Sequence, residues 1–333
     1  MTRRPRAPLG TPIDLSRVRT YPLARRPSKV AAAALGAMPS ATMSVGHFIR
    51  SLPDILAAHD LRAIARAIAE RHRAGRLVAL GMGAHPIKVG LSPLIIELMR
   101  RGLLSAVAMN GACIVHDFEL AYHGATSEDV GATLGTGQFG MAEETGQFLN
   151  AAIARTPELG LGAAVGRAIN DARLRHRELS ILAAGARLGV PVTVHAALGT
   201  DIIHMHPSAD GRAIGGASMA DFRILAETCR HLHRGVFINL GSAVIIPEVF
   251  LKALNLARNV GSRVDQLVTV DMDFVRHYRP AVNVVQRPTQ GRGKGYQLTG
   301  HHEIMFPLLC AAVLEALGRP RGAASRLSRP RKS

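Results

Sequence analysis

The sequence predicts an α/β fold: a doubly wound, mostly parallel sheet with helices on both faces. Short runs rich in Val, Ile and Leu end abruptly in Gly or a small polar residue, and stretches with helical apolar spacing separate most of them. That alternation is what a strand, a crossover helix and a parallel strand require. The composition agrees, because 47% hydrophobic residues with 4% aromatics and no Trp give a sizeable core of Ala, Leu, Ile and Val.

Taken in order, residues 53–74 read as an amphipathic helix, with Asp54 in the first turn and Gly75 as the stop. The run RLVALG at 76–81 is the first strand, and LSAVAMN at 104–110, which starts 28 residues later, is the second. That distance suits a parallel crossover. The intervening helix, 92–101, turns Ile95, Ile96 and Met99 inward. Residues 116–140 are too polar and too rich in Gly for a regular element. They predict a long ordered loop whose Asp117, Glu119, His123, Glu128 and Asp129 favour a site over a solvated excursion. Helices at 142–154 and 163–188 lead to a strand at 191–195. A helix at 219–233 precedes the strand 236–240, one at 247–259 precedes the strand 266–271, and a helix at 303–317 closes the domain.

Charge divides the chain into three parts. With 41 Lys+Arg against 24 Asp+Glu the formal net charge is +17. Residues 1–30 carry eight basic side chains and one acid, and residues 319–333 carry six and none, so the 288 residues between hold only +4. A single α/β domain over 31–318 between two basic, disordered tails follows. Nucleic acid is expected to bind only weakly, through the tails. No apolar run reaches the roughly 18 residues that cross a bilayer, and the N-terminus has arginines and prolines without a hydrophobic segment. Cys113, Cys229 and Cys310 are odd in number and lack CxxC spacing, which excludes a disulfide framework and a thiolate metal site and leaves three buried structural thiols. A cytoplasmic protein without membrane insertion is the expectation.

Open parallel sheets bind ligands at the carboxyl ends of their strands. Here those ends read Gly81-Met82-Gly83-Ala84-His85, Asn110-Gly111-Ala112, the run from His195 to Asp201, Asn239-Leu240-Gly241-Ser242-Ala243 and Asp271-Met272-Asp273. Glycines let a backbone approach a ligand and a following helix offers free N–H groups, so a nucleotide-shaped ligand fits the pattern. Tight strand-to-helix turns use the same glycines without any ligand.

The order of these motifs, from the glycine turn after the first strand through Asn110-Gly111-Ala112 with Asp117, the PV-and-Asp201 stretch, Leu240-Gly241-Ser242 and the closing IMFPLL, resembles the deoxyhypusine synthase family from about Gly75 to Leu317. The resemblance implies a Rossmann-like, NAD-binding fold, a homotetramer, and transfer of an aminobutyl-type group from a polyamine through a lysine imine to a small amine or a protein lysine. It implies NAD contacts at Gly83, His85, Asn110, Gly111, Ala112, Asp201, Gly241 and Ser242, and polyamine carboxylates at Asp117 and Asp201. Ile246-Pro247-Glu248 and Arg292-Gly293-Lys294-Gly295 stand where the family has Lys-His-His and Trp-Gly-Lys, and His301 replaces an Asp.

An imine-forming lysine needs desolvation or a cationic neighbour. Of the five lysines, Lys29 and Lys332 lie in the tails, Lys252 reads as a solvated helix face and Lys88 follows the first strand. Lys294, flanked by glycines and near Arg292, is therefore the candidate nucleophile, against a basic loop that binds phosphate or nothing. His206 and His301 are the candidate proton carriers. Glu119 and Asp271 are further carboxylates for a cationic substrate, Asp271 reading equally well as a turn residue. The HxH at His204 and His206 and the HHE at His301, His302 and Glu303 lack a matching ligand framework, so no metal is expected. Two alternatives stay open: an NAD- or nucleotide-dependent enzyme without lysine chemistry, and a non-catalytic ligand-binding member of the family.

Overall fold

The computed structural model describes residues 9–318. The tail 319–333 and residues 1–8 lie outside it. Residues 9–30 are wholly exposed, with single 3-10 turns at Leu15–Arg17 and Leu23–Arg25.

Six strands form one sheet, every pairing of which is parallel, in the order β3-β2-β1-β4-β5-β6. They are β1 (Val78–Met82), β2 (Ala106–Asn110), β3 (Val192–His195), β4 (Val236–Leu240), β5 (Val268–Asp273) and β6 (Lys294–Thr299). Winding proceeds outward from β1 through β2 to β3, returns to β4 on the other side of β1, and continues to β6. The seam between β1 and β4 is therefore the topological switch point where such sheets open a crevice.

The helices, in chain order, are α1 (Val45–Ser51), α2 (Leu56–Arg73), α3 (His85–Lys88), α4 (Ser92–Arg100), α5 (Ala112–His123), α6 (Val130–Thr133), α7 (Glu143–Arg155), α8 (Leu161–Asp171), α9 (Ile181–Leu188), α10 (Gly211–Arg230), α11 (Ile245–Asn259), α12 (Tyr278–Pro280) and α13 (His302–Leu317). Strand alternation sends Val78, Leu80 and Met82 into a layer shared with α2, α4, α5, α8, α9 and α13, and Ala79 into a second layer shared with α10 and α11. That second layer is built on small strand residues, Ala79, Ala106 and Ala108, which leave room for Phe237 and Phe250 to stack at 3.7 Å. Burying each ring contributes roughly 1.5–3 kcal/mol. Gly81 belongs to the same arrangement, since a Cβ there would stand 2.4 Å from Ile246 Cγ2 and 2.8 Å from the Phe237 ring.

The structure corrects the sequence reading at four places. Residues 116–123, expected in a loop, lie in α5, because its polar residues share the helix with a buried face of Cys113, Ile114, Phe118 and Ala121. The stretch read as one helix at 163–188 breaks into α8 and α9 at a turn where Arg173 takes φ +50°. The helix expected from 219 begins at Gly211, with Asp210 accepting from Arg212 N and Ala213 N as its cap. Finally, the basic Gly-rich loop read over 286–295 ends in a strand: Lys294 and Gly295 open β6, whose only buried side chains are Tyr296 and Leu298. Of the three thiols, Cys113 and Cys229 are buried and Cys310 is half-buried.

Two buried aspartates act as struts between these elements. Asp117, fully buried on α5, accepts hydrogen bonds from Ser180 Oγ, Ile181 N (2.7 Å) and Leu182 N (3.4 Å), and so caps α9 from another helix. Asp221 on α10 accepts from Gly162 N (3.0 Å) and Val194 N (2.8 Å), joining the start of α8 to β3. Burial pushes Asp221 up to about 7 and Asp117 up to about 6. A carboxyl whose folded value exceeds its unfolded one stabilises fully below the unfolded value, and this contribution is lost as pH rises through the folded one. Urea unfolding of wild type and Asp221→Asn between about pH 4 and pH 8 should show the wild type losing stability relative to the variant as pH rises towards 7. A pH-independent difference would show that Asp221 is not shifted.

Candidate active site

The carboxyl ends of β1 and β4 are drawn into contact at the switch point. Gly83 N donates to Leu240 O at 3.0 Å, and a Cβ on Gly83 would stand 2.3 Å from Gly241 O. Gly241 itself has φ +68°, and a Cβ there would meet the His302 ring at 2.8 Å. Two glycines are thus required for the turns to meet.

Around that seam lies a buried polar cluster. Asn239 Nδ2 donates to Asp271 Oδ1 at 2.8 Å and to Ser242 O, and Ser242 Oγ accepts from Ile246 N in the first turn of α11. Burial raises the Asp271 carboxyl. His302, at the start of α13 and 1% exposed, has Nε2 3.3 Å from Met272 O and 3.8 Å from Asp273 Oδ1. Its ring lies 5.4 Å from His85 and 5.8 Å from Phe274, and burial holds its pKa down. His302 Nδ1 and Asn239 Oδ1 are buried without a hydrogen-bond partner. Unmet polar atoms beside a glycine-lined switch point fit the hydroxyls and amide of a dinucleotide such as NAD.

Beyond β1 and β2 an acidic cavity of about 250 Å³ is lined by Lys88, His116, Glu119, Glu128, Asp201 and their neighbours. A second, of about 480 Å³, shares Glu119, Ser127 and Glu128 with it and adds Tyr122, His123 and Glu144. Asp201 caps the 3-10 turn Ile202–Met205, and burial pushes it up to about 6. Its carboxylate rests on Gly111, where a Cβ would stand 1.9 Å from Oδ2. His116 Nδ1 is 2.7 Å from Thr126 Oγ1, which donates in turn to Glu119. His116 is held down to about 4 by burial, with the charge of Lys88 adding to it.

Gly83, His85, Asn110, Gly111, Ala112, Asp201, Gly241 and Ser242 all lie at the carboxyl ends of strands, as expected, and Glu119 lines both cavities. Asp117 does not, because its carboxylate is spent on capping α9. Asp271 is buried in the Asn239 network. His301 is exposed, stacked near Phe274 at 6.2 Å, at the mouth of the crevice. His206 lies 2.8 Å from Gly140 O and packs against Gly146, which pins the loop to α7. Lys294 falls at the wrong end of the sheet: it pairs with Val268, the first residue of β5, while Thr299 pairs with Asp273. Five residues at about 3.3 Å each put it roughly 16 Å from the carboxyl ends. It is exposed, with Nζ 4.9 Å from the Tyr296 ring centre. The expectation that Lys294 joins the site carboxylates is therefore corrected within one subunit. From the sequence Lys88 was weighed only as a lysine after the first strand and His302 only as part of the HHE run, and His116 was not singled out, although the i, i+3 spacing of His116 and Glu119 in a helix was there to be read.

The pairing of Gly111 with Asp201 is testable by stability alone. Gly111→Ala should cost about 1–3 kcal/mol, and Asp201→Ala in the same chain should recover most of that loss. Equal losses in both backgrounds would show that the two do not touch.

No family model matches the sequence, and no curated protein does. The structure is similar to a protein of Methanococcus maripaludis S2 assigned to LOR/SDH, at a TM-score of 0.51 and 15% identity, covering 86% of this chain and 74% of that one. It is similar also to AgrE in its ternary complex with ornithine and NAD+, at 0.51 and 12% identity, covering 78% of this chain and 34% of AgrE, so the chain spans about a third of AgrE's length. A protein of Entamoeba histolytica assigned as a deoxyhypusine synthase gives 0.49 at 12% identity, with 83% and 95% covered. The α/β fold expected from the ordered motifs is the fold found, and this chain shares it with the LOR/SDH protein and with part of AgrE.

Proposed function

We propose that the protein is an NAD-dependent enzyme that acts on a small amine, with the dinucleotide in the β1–β4 crevice and the amine in the acidic cavity beside it. The observation that carries this reading is the convergence of Glu119, Glu128 and Asp201 on a cavity that opens at the same strand ends as the glycine turns. A desolvated ammonium needs such partners. AgrE, crystallised with NAD+ and ornithine on a similar fold, supports pairing these two ligand classes.

NAD, when bound, supplies a hydride acceptor for the carbon beside the amine nitrogen. In this chain Glu119 and Glu128 would hold the ammonium, and Tyr122 and Phe118 offer apolar wall for a methylene chain in the larger cavity. Asn239, Ser242 and His302 would meet the dinucleotide's polar groups. Aminobutyl transfer through a lysine imine would require a lysine in the cavity, and Lys88 is the one that lines it among the described residues. The position of Lys294 favours the simpler reading, amine oxidation without lysine chemistry.

Calorimetric titration of the full chain with NAD+, then with putrescine, spermidine and ornithine in its presence, tests this. At least one amine should bind more tightly with NAD+ present. Glu119→Gln should weaken that amine roughly tenfold to hundredfold, as removal of one charged hydrogen bond predicts. A folded protein that binds neither NAD+ nor any of the three amines would overturn the reading.

A further inference from the structure

We propose that His116 is the proton acceptor for the bound amine, its Nε2 lone pair presented to the cavity by a relay from His116 through Thr126 to Glu119. The inference deepens the amine-enzyme reading above and rests on it.

The relay follows from helix geometry and donor accounting. On α5, His116 and Glu119 are three residues apart and share a face. The helix ends at Gly124, whose φ of +82° turns the chain so that Thr126 comes back between them. An ionised Glu119 only accepts, so the Thr126 hydroxyl proton must point to it. The remaining lone pair of Oγ1 then accepts from His116, 2.7 Å away, which places the ring proton on Nδ1. Nε2 is left as an acceptor and has no hydrogen-bond partner among the described residues, while the ring lines the cavity. The charged groups around this cavity are Lys88 from α3, Glu119 from α5, Glu128 from the following loop and Asp201 from the 3-10 turn. Asp117, next in sequence, is engaged with α9 and faces away.

A primary amine enters as an ammonium. Hydride can leave the neighbouring carbon only when the nitrogen has a lone pair to form the iminium. One N–H bond must therefore break first, and an Nε2–H bond forms in its place. The charge moves from substrate to imidazolium, and Glu119, reached through Thr126, offsets it. Burial and Lys88 keep the free ring neutral, so its Nε2 lone pair is in place before the amine arrives. Thr126 and Glu119 are positioning residues here, acting through His116.

Nitrogen-15 spectra of the histidine rings in the free, full-length protein at about pH 7 should show His116 neutral with the proton on Nδ1, the less common tautomer. Thr126→Val should move that proton to Nε2 without unfolding the protein. With NAD+ and whichever of putrescine, spermidine or ornithine turns over, His116→Gln should lower kcat by about a hundredfold or more and change the amine's Kd less than threefold. The lost rate should return as pH climbs towards the pKa of the amine itself, because the substrate then arrives neutral, a recovery that a structural role would not produce. An Nε2–H tautomer in the wild type, or full turnover by His116→Gln at neutral pH, would overturn the assignment while leaving the amine reading intact. Absence of binding by all three amines would overturn the amine reading itself, and the proton-acceptor role with it, whichever tautomer the ring holds.

Discussion

The architecture depends on how closely β1 and β4 can approach where the winding of the sheet reverses. Gly81 yields its side-chain volume to Phe237 and Ile246, and Gly83 yields to the carbonyl of Gly241. Those concessions are made two residues apart, one within β1 and one just past its end, so a single short segment sets both the packing of the second layer and the floor of the crevice. The polar cluster of Asn239, Ser242, Asp271 and His302 can be buried there because the turns are already fixed by backbone contact. In a sheet whose central strands are buried on both faces, such a seam lets polar groups gather without interrupting the core.

Around the seam, the carboxylates divide into two kinds by what they touch. Asp117 and Asp221 are consumed by backbone N–H groups of distant helices and strands, which ties α5 to α9 and α10 to α8 and β3. Glu119 and Glu128 instead line a cavity, Glu119 accepting from the Thr126 and Thr145 hydroxyls and Glu128 from Gly140 N and Thr133 Oγ1 of the nearby chain. Residues 117 and 119 are near neighbours on one helix, yet a rotation of about 200° between them sends one into the core and the other to the open side. The same helix therefore anchors the layer and presents the chemistry, so a change in its tilt would alter stability and site together.

Much of this was legible in the sequence. All five strands read from Val- and Ile-rich runs exist, and so do the glycine-bearing ends, because period-two burial and tight turns leave local traces. The loop read over 116–140 failed for a physical reason: α5 carries Asp117 on a surface whose satisfaction comes from Ser180 and Ile181, residues up to 64 positions away. Partners at that distance leave no local pattern. β6 was hidden likewise, since only Tyr296 and Leu298 of its six residues are buried, and the glycines around Lys294 read as punctuation. Lys294 was drawn into the site by scarcity, there being few lysines to choose among, whereas position along a strand, invisible without the register, decides what it can reach.

That register gives Lys294 a different significance. β6 is the last strand of the sheet, so one row of its backbone groups has no neighbouring strand. Open edges of this kind invite pairing with a second chain, the first step towards ordered aggregates. Here the edge opens on an exposed lysine, and four of its six residues are exposed or half-buried. A strand from another molecule would have to desolvate that ammonium to dock. A charge at that place disfavours backbone pairing along this edge.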